Sequence, residues 1–180
     1  MNYANIKYYD IANGPGIRTS LFVSGCNHRC EGCFNSEAWD FNYGNLFDDN
    51  IENRIIEHCR SSYISGLSIL GGEPMEPNNQ ITLVIFLKHF RKELPHKSVW
   101  CYTGCTYEEL IGKNKSNYHC NQTIELLSYI DILVDGLFIM NLKDISLKFR
   151  GSSNQRIIDV KKTLSSDKII LWKDDQLLYD

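Results

Sequence analysis

The sequence predicts an α/β protein whose sheet is mostly parallel. Short β-branched and apolar runs alternate with stretches of helical periodicity. Four of the strand-like runs end directly at a cysteine, glycine or aspartate that breaks the strand. Hydrophobic residues at 43% and charged residues at 23% describe a folded globular chain and exclude a disordered one.

Ile17 to Ser24 (IRTSLFVS) is the first buried strand. Asp48 or Asp49 then caps a helix on which Ile51, Ile55, Ile56 and Cys59 share one face. Leu67 to Leu70 (LSIL) is a short strand ending in Gly71-Gly72. Leu83, Leu87, Phe90 and Leu94 recur at i, i+4, i+7 and i+11 and mark a second helix, closed by Pro95. Ser98 to Tyr102 (SVWCY) is a third strand, ended by Thr103-Gly104, and Thr106 with Glu109 forms a capping box for a short helix. Gln122 to Tyr129 reads as a helix running into a strand at Ile130 to Val134, which stops at Asp135-Gly136. Beyond Leu137 the pattern is loop-like, with a terminal hairpin expected from Ile169–Trp172 and Leu177–Tyr179.

No repeat, linker or low-complexity tract divides the 180 residues, so 1–180 reads as one domain, shorter than the ~250 residues usual for a complete eight-fold α/β barrel. Lys and Arg total 19 against 22 for Asp and Glu, a net charge of −3 without the basic footprint of a non-specific nucleic-acid binder. Apolar runs such as Leu83 to Leu87 fall far short of the ~18 residues of a membrane span. The Met1–Lys7 segment lacks the apolar centre of a signal peptide, which places the protein in the cytoplasm.

In that compartment cysteines serve metals or catalysis more often than disulfides, and the chain has seven. Three of them form Cys26-x3-Cys30-x2-Cys33, in the loop that leaves the first strand. Structural zinc takes four ligands, commonly as two pairs, and no second CxxC or CxxH pair is present. Three clustered thiolates suit a 4Fe-4S cluster with one iron left open to a substrate or cofactor. Zinc and coincidence are the alternatives. Cys59 reads as core. Cys101 and Cys105 with Cys120 are either small buried thiols or parts of a second metal site.

The four strand exits at Cys26, Gly71-Gly72, Thr103-Gly104 and Asp135-Gly136 gather on one edge of a parallel sheet, where α/β proteins place their sites. At Gly71-Gly72-Glu73-Pro74 the glycines allow close backbone approach to a ligand, and exposed carbonyls there suit an ammonium group, with Glu73 adding negative charge. Asn13–Arg18 is a tight turn entering a strand, and Phe149–Arg156 is a loop rich in donors whose two arginines suit a carboxylate or a partner protein. For both, a plain structural role is an equal alternative. His28, between two ligating positions, is expected to be exposed and outside the ligand set. Trp39, Phe41 and Tyr43 are expected in the core.

These residues carry a family resemblance. The cysteine loop followed by Gly71-Gly72-Glu73-Pro74 resembles the radical S-adenosylmethionine superfamily. Within it, six stretches in order over about residues 1–157 resemble the activating enzymes of anaerobic (class III) ribonucleoside-triphosphate reductase: NGPGIR (Asn13–Arg18), LFVSGC (Leu21–Cys26), CEGCFN (Cys30–Asn35), YTG (Tyr102–Gly104), LVDG (Leu133–Gly136) and RGSSNQR (Arg150–Arg156).

The resemblance implies a partial βα barrel of the radical SAM type. It implies Cys26, Cys30 and Cys33 each binding one iron of a 4Fe-4S cluster, and S-adenosylmethionine on the fourth iron. Gly71, Gly72, Glu73 and Pro74 would lie at its methionine end, and Gly32, Cys33 and Phe34 beside the cofactor. It further implies a 5′-deoxyadenosyl radical that takes hydrogen from a glycine of the reductase, and a flavodoxin-type electron donor. Two positions depart from the pattern: Gly32 stands where much of the superfamily has an aromatic residue, and Cys105 where this family often has one. Another radical enzyme, such as 7-carboxy-7-deazaguanine synthase, is the nearest alternative, though RGSSNQR and NGPGIR argue against the synthase. A zinc-binding interaction module is the non-enzymatic one. Residues 158–180 match no motif.

Overall fold

The structure, a computed structural model, describes residues 1–173. Its centre is a seven-stranded sheet in the order β3-β1-β2-β4-β5-β6-β7. The strands are β1 (Asn2–Asp10), β2 (Ile17–Val23), β3 (Asn45–Leu46), β4 (Ile64–Gly71), β5 (Ser98–Tyr102), β6 (Ile132–Asp135) and β7 (Arg156–Asp159). β2, β4, β5 and β6 run parallel to one another, while β1, β3 and β7 are antiparallel to their neighbours. The sheet stays open, with β3 and β7 at its two edges.

The helices form where capping and periodicity place them. In α1 (Asp49–Cys59) the Asp48 carboxylate accepts the Ile51 N–H, and Ile55, Ile56 and Cys59 are buried. α2 (Pro77–Glu93) has proline in its first turn, buries Leu83, Leu87 and Phe90, and ends before Pro95. α3 (Tyr107–Leu110) carries the full Thr106–Glu109 capping box. α4 (Thr123–Ser128) is short, and the equally short α5 (Val160–Leu164), capped by Asp159, stands where the sequence read as loop.

Alternation along the strands sorts side chains between two faces. Val99, Cys101, Leu133 and Ile158 join the main core with the helices, where each fully buried Leu or Phe contributes roughly 1.5–3 kcal/mol. Trp100, Ile132 and Val134 point the other way and pack with Tyr102, Phe149, Ile157 and Trp172.

Three expectations change. β1, β3 and β7 were not anticipated: β1 is half-exposed and mixes Asn and Lys into its alternation, β3 has two residues and β7 four. They make the sheet antiparallel at its flanks. β4 begins at Ile64, three residues before LSIL, and β6 occupies Ile132–Asp135 instead of 130–134. Ile169–Trp172 lies along β7, with the Trp172 N–H donating to Ile157 O at 2.8 Å and the Asp159 N–H to Ile170 O at 2.9 Å. The other arm of the expected hairpin, Leu177–Tyr179, lies outside the described residues.

Candidate iron–sulfur and cofactor site

The four strand exits meet as the periodicity predicts. Cys26, Gly71, Gly72, Glu73, Thr103, Gly104 and Gly136 all line one pocket of about 410 Å³. Backbone bonds join the first two exits: Gly72 N–H donates to Val23 O at 2.7 Å and Glu73 N–H to Gly25 O at 2.8 Å. The contact is close because Gly71 and Gly72 lack a Cβ. A Cβ on Gly72 would lie 2.6 Å from Gly25 O, and one on Gly71, at φ +110°, 2.7 Å from Val23 O.

Cys26, Cys30 and Cys33 are the cysteines that line this pocket. Cys26 is buried, and the other two are half-buried. The loop is folded on itself by a Cys33 N–H bond to Cys30 O at 3.2 Å and an Asn35 N–H bond to Cys33 Sγ at 3.4 Å. Burial, then the negative charge of Glu73, pushes the Cys26 thiol up to about 12. Burial and the neighbouring Cys33 raise Cys30 in the same direction. Thiols so raised keep their protons until a cation displaces them, as iron does on binding. Three soft donors on one wall, beside glycine-rich backbone, fit a cluster that leaves one iron open to a ligand in the pocket.

Glu73 departs from the expectation that its charge faces a ligand. It is 1% exposed. Oε1 accepts the Met75 N–H at 2.8 Å, while Oε2 accepts the Gly104 N–H at 2.7 Å and bonds His28 Nε2 at 2.8 Å. His28, expected at the surface, has only 14% of its side chain exposed and stacks on Tyr118 at 4.6 Å. A buried carboxylate needs donors, and that need draws the ring inward. Burial opposes the charged imidazole, but the bond and charge of Glu73, with Glu76 and Glu109, outweigh it and raise the pKa. Cys105 Sγ completes a group whose ligand atoms lie within 4.8 Å of one another.

Gly32 and Phe34 line the pocket as expected. Phe34 is 83% exposed, and Gly32 at φ +70° leaves room for Met140, whose Sδ would lie 2.7 Å from a Cβ there. Pro74 is buried and is not among the lining residues. The aromatic core expected from Trp39, Phe41 and Tyr43 does not form. Trp39 is half-buried and lines the pocket, Phe41 is half-buried against Gly25, and Tyr43 is exposed with its hydroxyl on Glu37.

Cys59 and Cys101 sit in the main core, and Cys120 bonds Gln80 Oε1 at 3.3 Å, so Cys101, Cys105 and Cys120 do not share a site. Arg18 is fully buried, with bonds to Ser68 Oγ at 2.7 Å, Leu67 O at 2.8 Å and Ser98 O at 3.0 Å. Burial lowers its pKa to about 10. Arg18 therefore ties strands together instead of meeting a ligand. Arg150 lines the pocket and donates to Gln155 O at 2.6 Å, while Arg156 binds Asp135 and Glu108. Tyr102, Phe138 and Phe149 line the pocket without having been singled out for it. Tyr102 Oη is buried with no partner among the described residues. Only the YTG stretch pointed toward that tyrosine.

A three-thiol loop on the carboxyl edge of parallel strands is the architecture of a single-cluster iron–sulfur protein, and the family model for a 4Fe-4S single cluster domain matches residues 12–158. Similarity to curated proteins is closer still. The anaerobic ribonucleoside-triphosphate reductase-activating protein of Haemophilus influenzae is 42% identical over 161 residues, covering 87% of this chain and 97% of the relative. The proteins of that name from Escherichia coli strain K12 and Enterobacteria phage T4 are 41% and 37% identical over 157 residues, covering 86% and 87% of this chain and 96% and 93% of theirs. The chain belongs to the family of anaerobic ribonucleoside-triphosphate reductase-activating proteins.

Proposed function

We propose that this chain activates an anaerobic ribonucleoside-triphosphate reductase as a radical S-adenosylmethionine enzyme, with Cys26, Cys30 and Cys33 holding a 4Fe-4S cluster. The observation that carries the reading is the meeting of those three thiols with the Gly71–Glu73 backbone in one pocket. Bound there, a cluster reduced by one electron would cleave S-adenosylmethionine to methionine and a 5′-deoxyadenosyl radical able to take a hydrogen atom from a glycine of the reductase.

The chain's own contribution is placement. Gly71, Gly72 and Glu73 bring backbone to the methionine end of the cofactor, close enough only because two of them lack a side chain. Gly32, Cys33, Phe34 and Pro74 belong to the same cofactor region, with Pro74 acting behind the turn. Trp39, Phe138 and Phe149 supply apolar walls that keep water from the reacting atoms. The open sheet acts as a partial βα barrel of the radical SAM type, residues 1–180 work as one domain, and the open side admits the glycine-bearing segment of the partner. Electrons arrive from a flavodoxin-type donor in the cytoplasm. Among the described residues no helix is long and apolar enough to cross a membrane.

The experiment is anaerobic reconstitution with iron and sulfide, followed by mixing with a class III reductase, reductant and S-adenosylmethionine. The expected product is a glycyl-radical doublet in the electron paramagnetic resonance spectrum. Cleavage of S-adenosylmethionine without that signal would reject the reductase as substrate. Stoichiometric zinc and no cleavage would reject the radical chemistry itself.

A further inference from the structure

The Glu73 carboxylate is almost wholly buried and accepts three donors from three places in the chain: Met75 N–H beside it, Gly104 N–H at the end of β5, and His28 Nε2 inside the cysteine loop. A buried carboxylate with three donors is a fixed point, because moving any partner leaves charge unsatisfied in a low-dielectric site. His28 is fixed from its other side as well, by the Tyr118 ring stacked at 4.6 Å and 23°. Its neighbour Asn27 gives its N–H to Glu76 Oε1 at 2.8 Å. The stretch between Cys26 and Cys30 is therefore held against the Glu73–Glu76 segment by two carboxylates.

Glu73 directly follows Gly72, and its own N–H is bonded to Gly25 O, one residue before Cys26. The peptide between Gly72 and Glu73 thus shares a rigid block with the cysteine loop. We infer that His28 is a positioning residue: its bond to Glu73 sets the cysteine loop and the Gly71–Glu73 turn in one register, so that an open iron and the methionine-binding backbone stand at the spacing one S-adenosylmethionine molecule requires. The inference rests on the proposed cofactor reading. It assigns the Glu73 side chain to this strut and leaves the cofactor to the backbone.

Reconstituted His28→Ala and His28→Gln test it, since the glutamine amide can still donate to Glu73. His28→Ala is expected to keep the wild-type iron content and to bind S-adenosylmethionine at least about tenfold more weakly, as when only about a tenth of the molecules hold the binding register. More cofactor should then be needed to shift the paramagnetic resonance signal of the reduced cluster, and His28→Gln should recover most of the affinity. Affinity within twofold of wild type in His28→Ala, or no recovery in His28→Gln, overturns the inference. So does loss of iron in His28→Ala, which would place the residue's role in holding the cluster itself.

A cofactor-free readout separates this inference from the reading beneath it. Thermal unfolding of His28→Ala, Glu73→Gln and the double variant should be clearly non-additive, and additivity overturns the strut. Wild-type protein that neither binds nor cleaves S-adenosylmethionine overturns the cofactor reading even where that coupling is present.

Discussion

Arg156 grips Asp135 through two bonds, Nε to Oδ1 at 2.9 Å and Nη2 to Oδ2 at 2.5 Å, and gives Nη1 and Nη2 to Glu108 at 3.0 and 2.7 Å. Asp135 ends β6 and also accepts the Tyr107 N–H at 2.7 Å, so one guanidinium ties β7 and β6 to the start of α3. Both bonds and charges of Asp135 and Glu108 raise the Arg156 pKa, and the side chain stays cationic throughout the accessible range.

Arg156→Ala should therefore leave a 1%-exposed carboxylate without its cation. A fully buried pair broken from one side costs about 3–5 kcal/mol; with Arg156 about a third exposed, a loss of about 2–3 kcal/mol is expected in urea unfolding. Arg156→Lys should lose less, since one ammonium reaches one carboxylate but cannot reproduce the fork. A midpoint unchanged in Arg156→Ala would mean that the network adds nothing to stability.

Asp131 makes the fold sensitive to acid. Its carboxylate accepts Val99 N–H at 2.7 Å and Arg91 Nη2 at 2.6 Å, and pairs with Lys161. Burial works to raise its pKa, but the bonds from Lys161, Arg91 and Val99 outweigh it and the value falls below the ordinary one. The stabilisation is thus complete above the unfolded value of about 3.9 and is lost as pH falls through the lower folded value. Asp131→Asn should cost about 1–3 kcal/mol at pH 7 and flatten the decline of stability below about pH 4. An equally steep acid limb in the variant would assign that limb to other groups.

Gly72→Ala tests how tightly the two strand exits are joined. The new Cβ would meet Gly25 O at 2.6 Å and Ala38 O at 2.9 Å, backbone atoms that no rotamer change can move. A cost of about 1–3 kcal/mol is expected, with a fall in iron incorporation as the cysteine loop is displaced. Full iron content with unchanged stability would show that the loop retreats freely.

Five of the seven cysteines divide cleanly by position. Alanine at Cys26, Cys30 or Cys33 should abolish cluster assembly and reductase activation while leaving a folded protein. Alanine at Cys59 or Cys101, packed in the main core, should keep wild-type iron and lower stability by about 1 kcal/mol or somewhat more for the cavity left behind. Iron analysis and circular dichroism of the five variants decide the matter. Iron retained in all three loop variants would remove the loop from the site.

Much of the architecture was legible locally. The Asp48 cap, the capping box at Thr106 and Glu109, the Leu83–Phe90 stripe and the strand at Ser98–Tyr102 are each written within a few neighbouring residues, and each is found in place. The gathering of four strand exits followed from parallel topology. β7, at one edge, and β1, beside the two-residue edge strand β3, escaped because strands at the flanks of a sheet need little apolar patterning, and their partners are chosen by the sheet.

His28 and Glu73 escaped for a different reason. They stand 45 positions apart, and no spacing rule connects a histidine in one loop to a carboxylate in another. Arg18 is the same case in reverse. Its turn motif left a structural and a functional role equally open, and burial set the guanidinium on Ser68, Leu67 and Ser98.

The chain order of residues was enough to place α1 to α4, the central strands and the loop that carries three cysteines, because those depend on contacts between near neighbours and on the chemistry of side-chain types. The partners of each buried charge came only with the folded chain. A carboxylate or guanidinium removed from water must take whatever donors and acceptors the packing brings within about 3 Å. In this protein the packing gave Glu73 the cysteine loop and Arg18 the strands.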